Sequence, residues 1–228
     1  MQYIFLNRIF PFVQIHQISH RLEGKERNTN RQHNRAAIIF EKAQKEHTQN
    51  IKFHCFVQYL FHTQWEKLRD YAHQKGISII GDVPIYVPLD SVEVWADPEM
   101  FCLDASLRPE AVAGVPPDAF SQDGQLWGNP LYRWKAHEDD NFAWWIRRLK
   151  AAAKLYDVVR LDHFRGFEAY WEVPYGDETA RGGKWVKGPD MKFIKAIKKA
   201  LPQTAFIAED LGVITPEVEQ MKEGSGFP

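Results

Sequence analysis

The 228-residue chain is short of net charge, of cysteine and of long apolar runs, and each shortage removes a class of function. Lysine and arginine number 29 against 30 aspartates and glutamates, a formal net charge of -1. No global field therefore draws the protein to nucleic acid or to anionic lipid. The two cysteines, Cys55 and Cys102, have neither metal-ligand spacing nor the density of a disulfide framework. That usage fits a reducing compartment and makes the cytoplasm the expected location. No apolar stretch approaches the ~20 residues of a membrane-spanning helix. The opening residues 1–15 contain Asn7 and Arg8, with no basic lead and no small-residue cleavage site, so a signal peptide is not expected either. No glycine-rich phosphate cradle, zinc pattern, EF-hand loop or Ser-His-Asp arrangement is present, so neither a cofactor nor a metal is expected.

What remains is a globular composition, 44% hydrophobic and 14% aromatic with eight tryptophans. Flat apolar faces in that number suit either a core or the faces of sugar rings. Residues 1–35 are read as an irregular N-terminal segment, because residues 16–35 are polar and without periodicity. From residue 36 a single domain is expected to run to residue 228. Apolar residues at three- and four-residue steps between Ala36 and Gln74 predict two helical stretches covering a sheet, ended by Gly76. Three short apolar strands follow at Ile77–Val83, Val158–Asp162 and Ala205–Glu209, with helices at Phe142–Leu155 and Met191–Leu201 between them. Residues 84–135, rich in proline and glycine, are read as a long inserted loop region, and loops of that length are usually functional.

Alternation of helices with short apolar strands predicts an α/β fold with a parallel sheet. Each of the three strands ends in acid: Asp82, then Asp162, then Glu209 with Asp210. Strand ends converge on one face in a (β/α)8 barrel, so a part of such a barrel is preferred over an open sheet. Retaining cleavage of a glycosidic bond needs an ionised carboxylate as nucleophile and a protonated carboxyl as acid, about 5–5.5 Å apart. Neighbouring parallel strands lie ~5 Å apart, which places Asp162 and Glu209 for that work. Arg160, two residues before Asp162 and so on the same strand face, is expected to hold Asp162 ionised. The apolar approach through Phe206, Ile207 and Ala208 is expected to raise Glu209 toward the donor role. His163 reads equally as a backbone-bonded second layer or as a contact to sugar hydroxyls. Trp127 and Phe120, in the proline- and glycine-rich region, read either as packing or as stacking surfaces for glucose.

Five blocks in order, IIGDVPIYVPLDSVEVWADPEMFCLD, VAGVPPDAF, GQLWGNPLYRW, VVRLDHFRGFEAYWEVP and AEDLGVITPEV, resemble the amylomaltases, or 4-alpha-glucanotransferases, over about residues 39–228. The resemblance implies retaining transfer of a 1,4-alpha-glucan segment to a new 4-hydroxyl. It implies Asp162 as nucleophile, Glu209 as acid/base, and Asp82, Arg160, His163, Tyr86, Trp127 and Phe120 as substrate-holding residues. An alpha-1,4-glucan is the implied partner. A third carboxylate used by the family, in a His-Asp pair, would come after Pro228, so the chain reads as a partial one and a piece of barrel is expected to be poorly stable alone. An alpha-glucan hydrolase, and a remnant that binds glucan without turnover, are the alternative readings. The family often carries an aromatic where this chain has Ala119.

Overall fold

The computed structural model describes residues 41–212 and 214–228; the segment 1–35, and Ile38 and Ile39 with it, lies outside them. The chain divides into two compact units between Ile77 and Ser78. In the first, a helical run over residues 41–46 is followed by one continuous 27-residue helix, α1 (Thr48–Gln74). Gly76, at φ +69°, ends it where a left-handed residue is needed. No residue of α1 is buried, and Phe53, Phe56, Tyr59 and Tyr71 are exposed.

The second unit begins with β1 (Ile80–Val83) and continues through α2 (Val92–Ala96), β2 (Ala111–Val115), β3 (Gln125–Pro130), α3 (Trp134–Asp139) and α4 (Ala143–Leu155). Then come β4 (Val158–Leu161), β5 (Ala169–Pro174), β6 (Lys184–Lys187), α5 (Met191–Ala200), β7 (Ala205–Ala208) and α6 (Pro216–Ser225). The architecture is mixed α/β. β1, β4 and β7, the three strands expected from sequence, form a parallel sheet in that order. Their registers align Asp82 with Arg160 and Ile207, and Val83 with Leu161 and Ala208. Val83, Val159, Leu161, Phe206 and Ala208 are buried. The intervening positions of β1 and β4 carry Asp82 and Arg160, and this period of two separates a packed face from a chemical one. Among the described residues the sheet has three strands and does not close, so the topology is not that of a closed barrel.

The inserted region departs from its reading as loop. It contributes β2 and β3 to a four-stranded antiparallel sheet of order β3-β2-β5-β6. β5 and β6 come from residues beyond β4, so the insertion is not self-contained. A register shift near Val112 and Gly114, and Gly128 at φ +77°, break the alternation by which such strands are recognised. The core is aromatic. Phe101, Tyr132, Trp144, Trp145, Phe164, Phe167 and Phe193 are all buried, and Phe167 stacks on Phe193 at 4.5 Å between ring centroids. α4 lays Trp144, Trp145, Leu149 and Ala152 against this core and packs on β1 and β4. α5 adds Phe193, Ile194 and Ile197 at helical spacing. Trp144 and Trp145 are thus core, whereas Trp95, Trp127 and Trp185 are exposed.

Candidate active site

The first residue after each of β4 and β7 continues the strand ladder: Asp162 N–H donates to the Val83 carbonyl at 3.1 Å and Glu209 N–H to the Leu161 carbonyl at 3.1 Å. These bonds bring both acids out at the same edge and, by register, onto the face that carries Asp82 and Arg160. One guanidinium joins the group. Arg160 Nη1 donates to Asp82 at 2.6 Å (Oδ1) and 2.7 Å (Oδ2), and to Asp162 Oδ1 at 3.3 Å. Arg160 Nη2 lies 4.0 Å from Glu209 Oε1. Four side chains expected from sequence therefore meet.

Their electrostatics differ from expectation in one respect. Asp162 is raised above the usual carboxylate range, first by desolvation and then by the Asp82 charge, with Arg160 only partly opposing this. The arginine was expected to hold Asp162 ionised, but its closest contacts are to Asp82. Glu209 is raised as well, chiefly by desolvation and next by Asp162. The two acids are distinguished instead by access. The Asp162 side chain is 41% exposed and that of Glu209 7%. Glu209 Oε2 is buried with no hydrogen-bond partner among the described residues. A buried oxygen in that condition favours a bound proton; Arg160 and the backbone N–H groups of Leu211 and His163 favour the ionised carboxylate, but burial and the Asp162 charge outweigh them.

His163 follows Asp162 in a left-handed conformation at φ 50°, a placement uncommon outside glycine and often associated with function. Burial first, and then the neighbouring Arg165, lower its ring to a pKa of about 4, so at neutral pH it can both donate and accept a hydrogen bond. Gly166 makes room for it: a Cβ there would meet His163 Cδ2 at 2.8 Å and Ile85 Cδ1 at 2.7 Å. Trp127 stands edge-on to the His163 ring at 4.9 Å and to Tyr86 at 6.0 Å. Tyr86 is buried and stacks on Tyr132. Trp127, Tyr86 and His163 thus form one aromatic wall that continues from Asp162. Phe120 is not part of it. It sits wholly exposed at the tip of a turn.

Arg165 was not singled out from sequence, although it lies inside the DHFRG block. It is buried, its guanidinium lies 3.8 Å from the Trp185 ring centroid, and its nearest carboxylate, Glu168, is 3.9 Å away. Glu168 is also held by Lys187. Only the pairing of β5 with β6 brings Trp185 there, and no local pattern announces that pairing.

The model of the glycosyl hydrolase family 77, described as 4-alpha-glucanotransferase, matches residues 9–228. The chain belongs to the 4-alpha-glucanotransferase family. The match starts at residue 9, well before residue 39, from which the resemblance was expected to run. A 4-alpha-glucanotransferase of Aquifex aeolicus is 57% identical over 77% of this chain and 36% of its own length. One of Clostridium butyricum is 51% identical over 82% of this chain and 39% of its own. The chain therefore spans less than half the length of these curated relatives. Among solved structures, the amylomaltase of Streptococcus agalactiae in complex with acarbose is 43% identical, with a TM-score of 0.82, over 95% of this chain and 44% of that one. Among the described residues, no helix is long and apolar enough to cross a membrane.

Proposed function

We propose that this chain carries the donor-cleaving part of a retaining 4-alpha-glucanotransferase, acting on alpha-1,4-glucans in a reducing compartment such as the cytoplasm, with its three parallel strands forming a stretch of a (β/α)8 barrel. One observation carries the reading: Asp162 and Glu209 leave adjacent strands in register and approach the same guanidinium. The relative crystallised with acarbose supports an oligosaccharide as ligand.

Asp162, the more exposed acid, attacks C1 of the donor sugar. Glu209, protonated, gives its proton to the glycosidic oxygen as the C1–O bond breaks. This leaves a glucosyl ester on Asp162 and an ionised Glu209. The acceptor 4-hydroxyl then returns a proton to Glu209 while its oxygen displaces Asp162 from C1. Two inversions give net retention. Arg160 steadies Asp162 and screens it from Asp82 and Glu209. Asp82 is the sugar-holding carboxylate, His163 and Tyr86 belong to the wall beside the reacting ring, and Trp127 and Phe120 offer apolar faces to the acceptor. Incubation with maltotriose tests the reaction type. Transfer yields glucose together with maltopentaose, whereas accumulation of glucose and maltose alone means hydrolysis. A folded chain that leaves maltotriose unchanged overturns the catalytic reading.

A further inference from the structure

Phe120 is 100% exposed, yet the turn that displays it is fixed by many hydrogen bonds. Asp118 Oδ1 accepts from the N–H groups of Phe120 and Ser121 at 2.8 Å each. Ser121 Oγ donates to the Gly124 carbonyl at 2.7 Å, and Asp118 N–H to the Ser121 carbonyl at 3.0 Å. Gly124, at φ +68°, closes the turn where any Cβ would meet the Val115 carbonyl oxygen at 2.3 Å. An ordered turn around an unpacked apolar ring gains nothing from burying that ring, which is the condition of a surface prepared for a ligand.

The turn is tied to the connection between β5 and β6. Ala180 is fully buried against Val112 and Val173, and its carbonyl accepts from Trp171 Nε1 at 2.8 Å. Ala180 N–H donates to the Asp123 carbonyl at 3.0 Å. The next residue, Arg181, reaches the same turn with one Nε–H, which lies 3.1 Å from the Gln122 carbonyl oxygen and 2.7 Å from Asp123 Oδ1. An exposed ion pair alone contributes little. Here it adds to a backbone bond at a rigid root, so the connection acts as a brace under the turn.

We propose that Arg181 is a positioning residue for Phe120, holding the turn so that the ring meets the acceptor end of a bound alpha-glucan. The proposal rests on the glucan reading above and deepens it. The brace does not touch the sugar; it removes conformations that the turn would otherwise lose on binding.

The test uses the full chain with Asp162→Asn, which binds donor without turnover, and measures maltoheptaose affinity by titration calorimetry. Phe120→Ala is expected to weaken binding about fivefold. Arg181→Ala is expected to weaken it to a similar extent, and the two changes together no more than Phe120→Ala alone, because the brace acts through the ring. Arg181→Lys, which keeps the cation, should recover at least half of the loss. Arg181→Gln replaces Arg181→Ala should that variant not fold. Parent-like affinity in Arg181→Ala, or in Arg181→Gln where it takes that variant's place, or losses that add in the double variant, overturns the brace while leaving the glucan reading intact. No binding by the parent chain overturns the glucan reading, and the proposal with it.

Discussion

Arg160 is bound more closely to Asp82 than to the acid two residues along its own strand. Nη1 lies 2.6 and 2.7 Å from the two Asp82 oxygens, against 3.3 Å from Asp162. One cation therefore serves three carboxylates, with Glu209 as the most distant at 4.0 Å. Removing it leaves these acids facing one another in a half-buried site, where unpaired charge is costly. Arg160→Met is expected to lower kcat/KM for maltotriose transfer by about 10²–10³-fold. Arg160→Lys should recover only a small part, because an ammonium has no planar fork with which to reach Asp82, Asp162 and Glu209 together. Parent-like transfer in Arg160→Lys would show that charge alone is needed.

Glu209 sets a pH dependence whose sign follows from its raised pKa. In the proposed mechanism donor cleavage needs the protonated form, so kcat/KM is expected to fall as pH rises through the pKa of Glu209 in the free enzyme. Glu209→Gln should lack this basic limb and turn over about 10²–10⁴-fold more slowly. Stability gives a second readout. A carboxyl whose folded pKa exceeds its unfolded value of 4.5 makes the fold less stable as pH rises from that unfolded value through the folded one. Glu209→Gln is therefore expected to raise Tm at pH 7, by about 2–4 °C for each kcal/mol relieved. The gain should vanish below pH ~4. Equal Tm values at pH 7 would contradict the raised pKa.

His163 is expected to remain neutral throughout the working range. Its ring titrates near 4 because it is buried and faces Arg165, so nitrogen-15 NMR should follow a neutral imidazole from pH 8 down to pH 5. Arg165→Met removes the smaller of the two causes, and the midpoint should then move up while staying below 6.5, its ordinary value. A midpoint above 6.5 in the parent chain would mean that the ring is not buried as described.

Gly81 is fixed by close packing. A Cβ at this position of β1 would lie 2.0 Å from Tyr156 Cδ2, so Gly81→Ala must displace the ring that precedes β4. Overpacking of this kind costs ~1–3 kcal/mol, a Tm loss of about 2–12 °C in a chain of this size. Tyr156→Ala in the same chain should recover part of it, which thermal unfolding of the three variants measures. A Gly81→Ala chain as stable as the parent would show that β1 and Tyr156 are not in contact.

The parallel strands were legible in the sequence because ISIIGDV, VVRLD and AFIAE are short apolar runs with an acid at the last position or, for Asp82, one before it. The meeting of Asp82, Arg160, Asp162 and Glu209 followed from the same feature, since strand ends in register share an edge. The antiparallel sheet was not legible. Its strands are four to six residues long, β2 and β3 contain Gly114 and Gly128, and the pairing of Trp171 with Trp185 joins segments whose burial alternates poorly. The elevation of Asp162 was not legible either, because it comes first from burial and then from the charge of Asp82, which takes the closer contacts of Arg160 from 78 positions away in sequence.

In the proposed reaction Asp162 forms the bond to C1 and Glu209 is its proton partner. Mass spectrometry of the Glu209→Gln chain incubated with an alpha-glucosyl fluoride, whose leaving group needs no proton, tests this most directly. A hexose adduct is expected on the peptide that contains Asp162, absent when Asp162→Asn is added. A folded chain with no adduct, or with the adduct on another carboxylate, would contradict it.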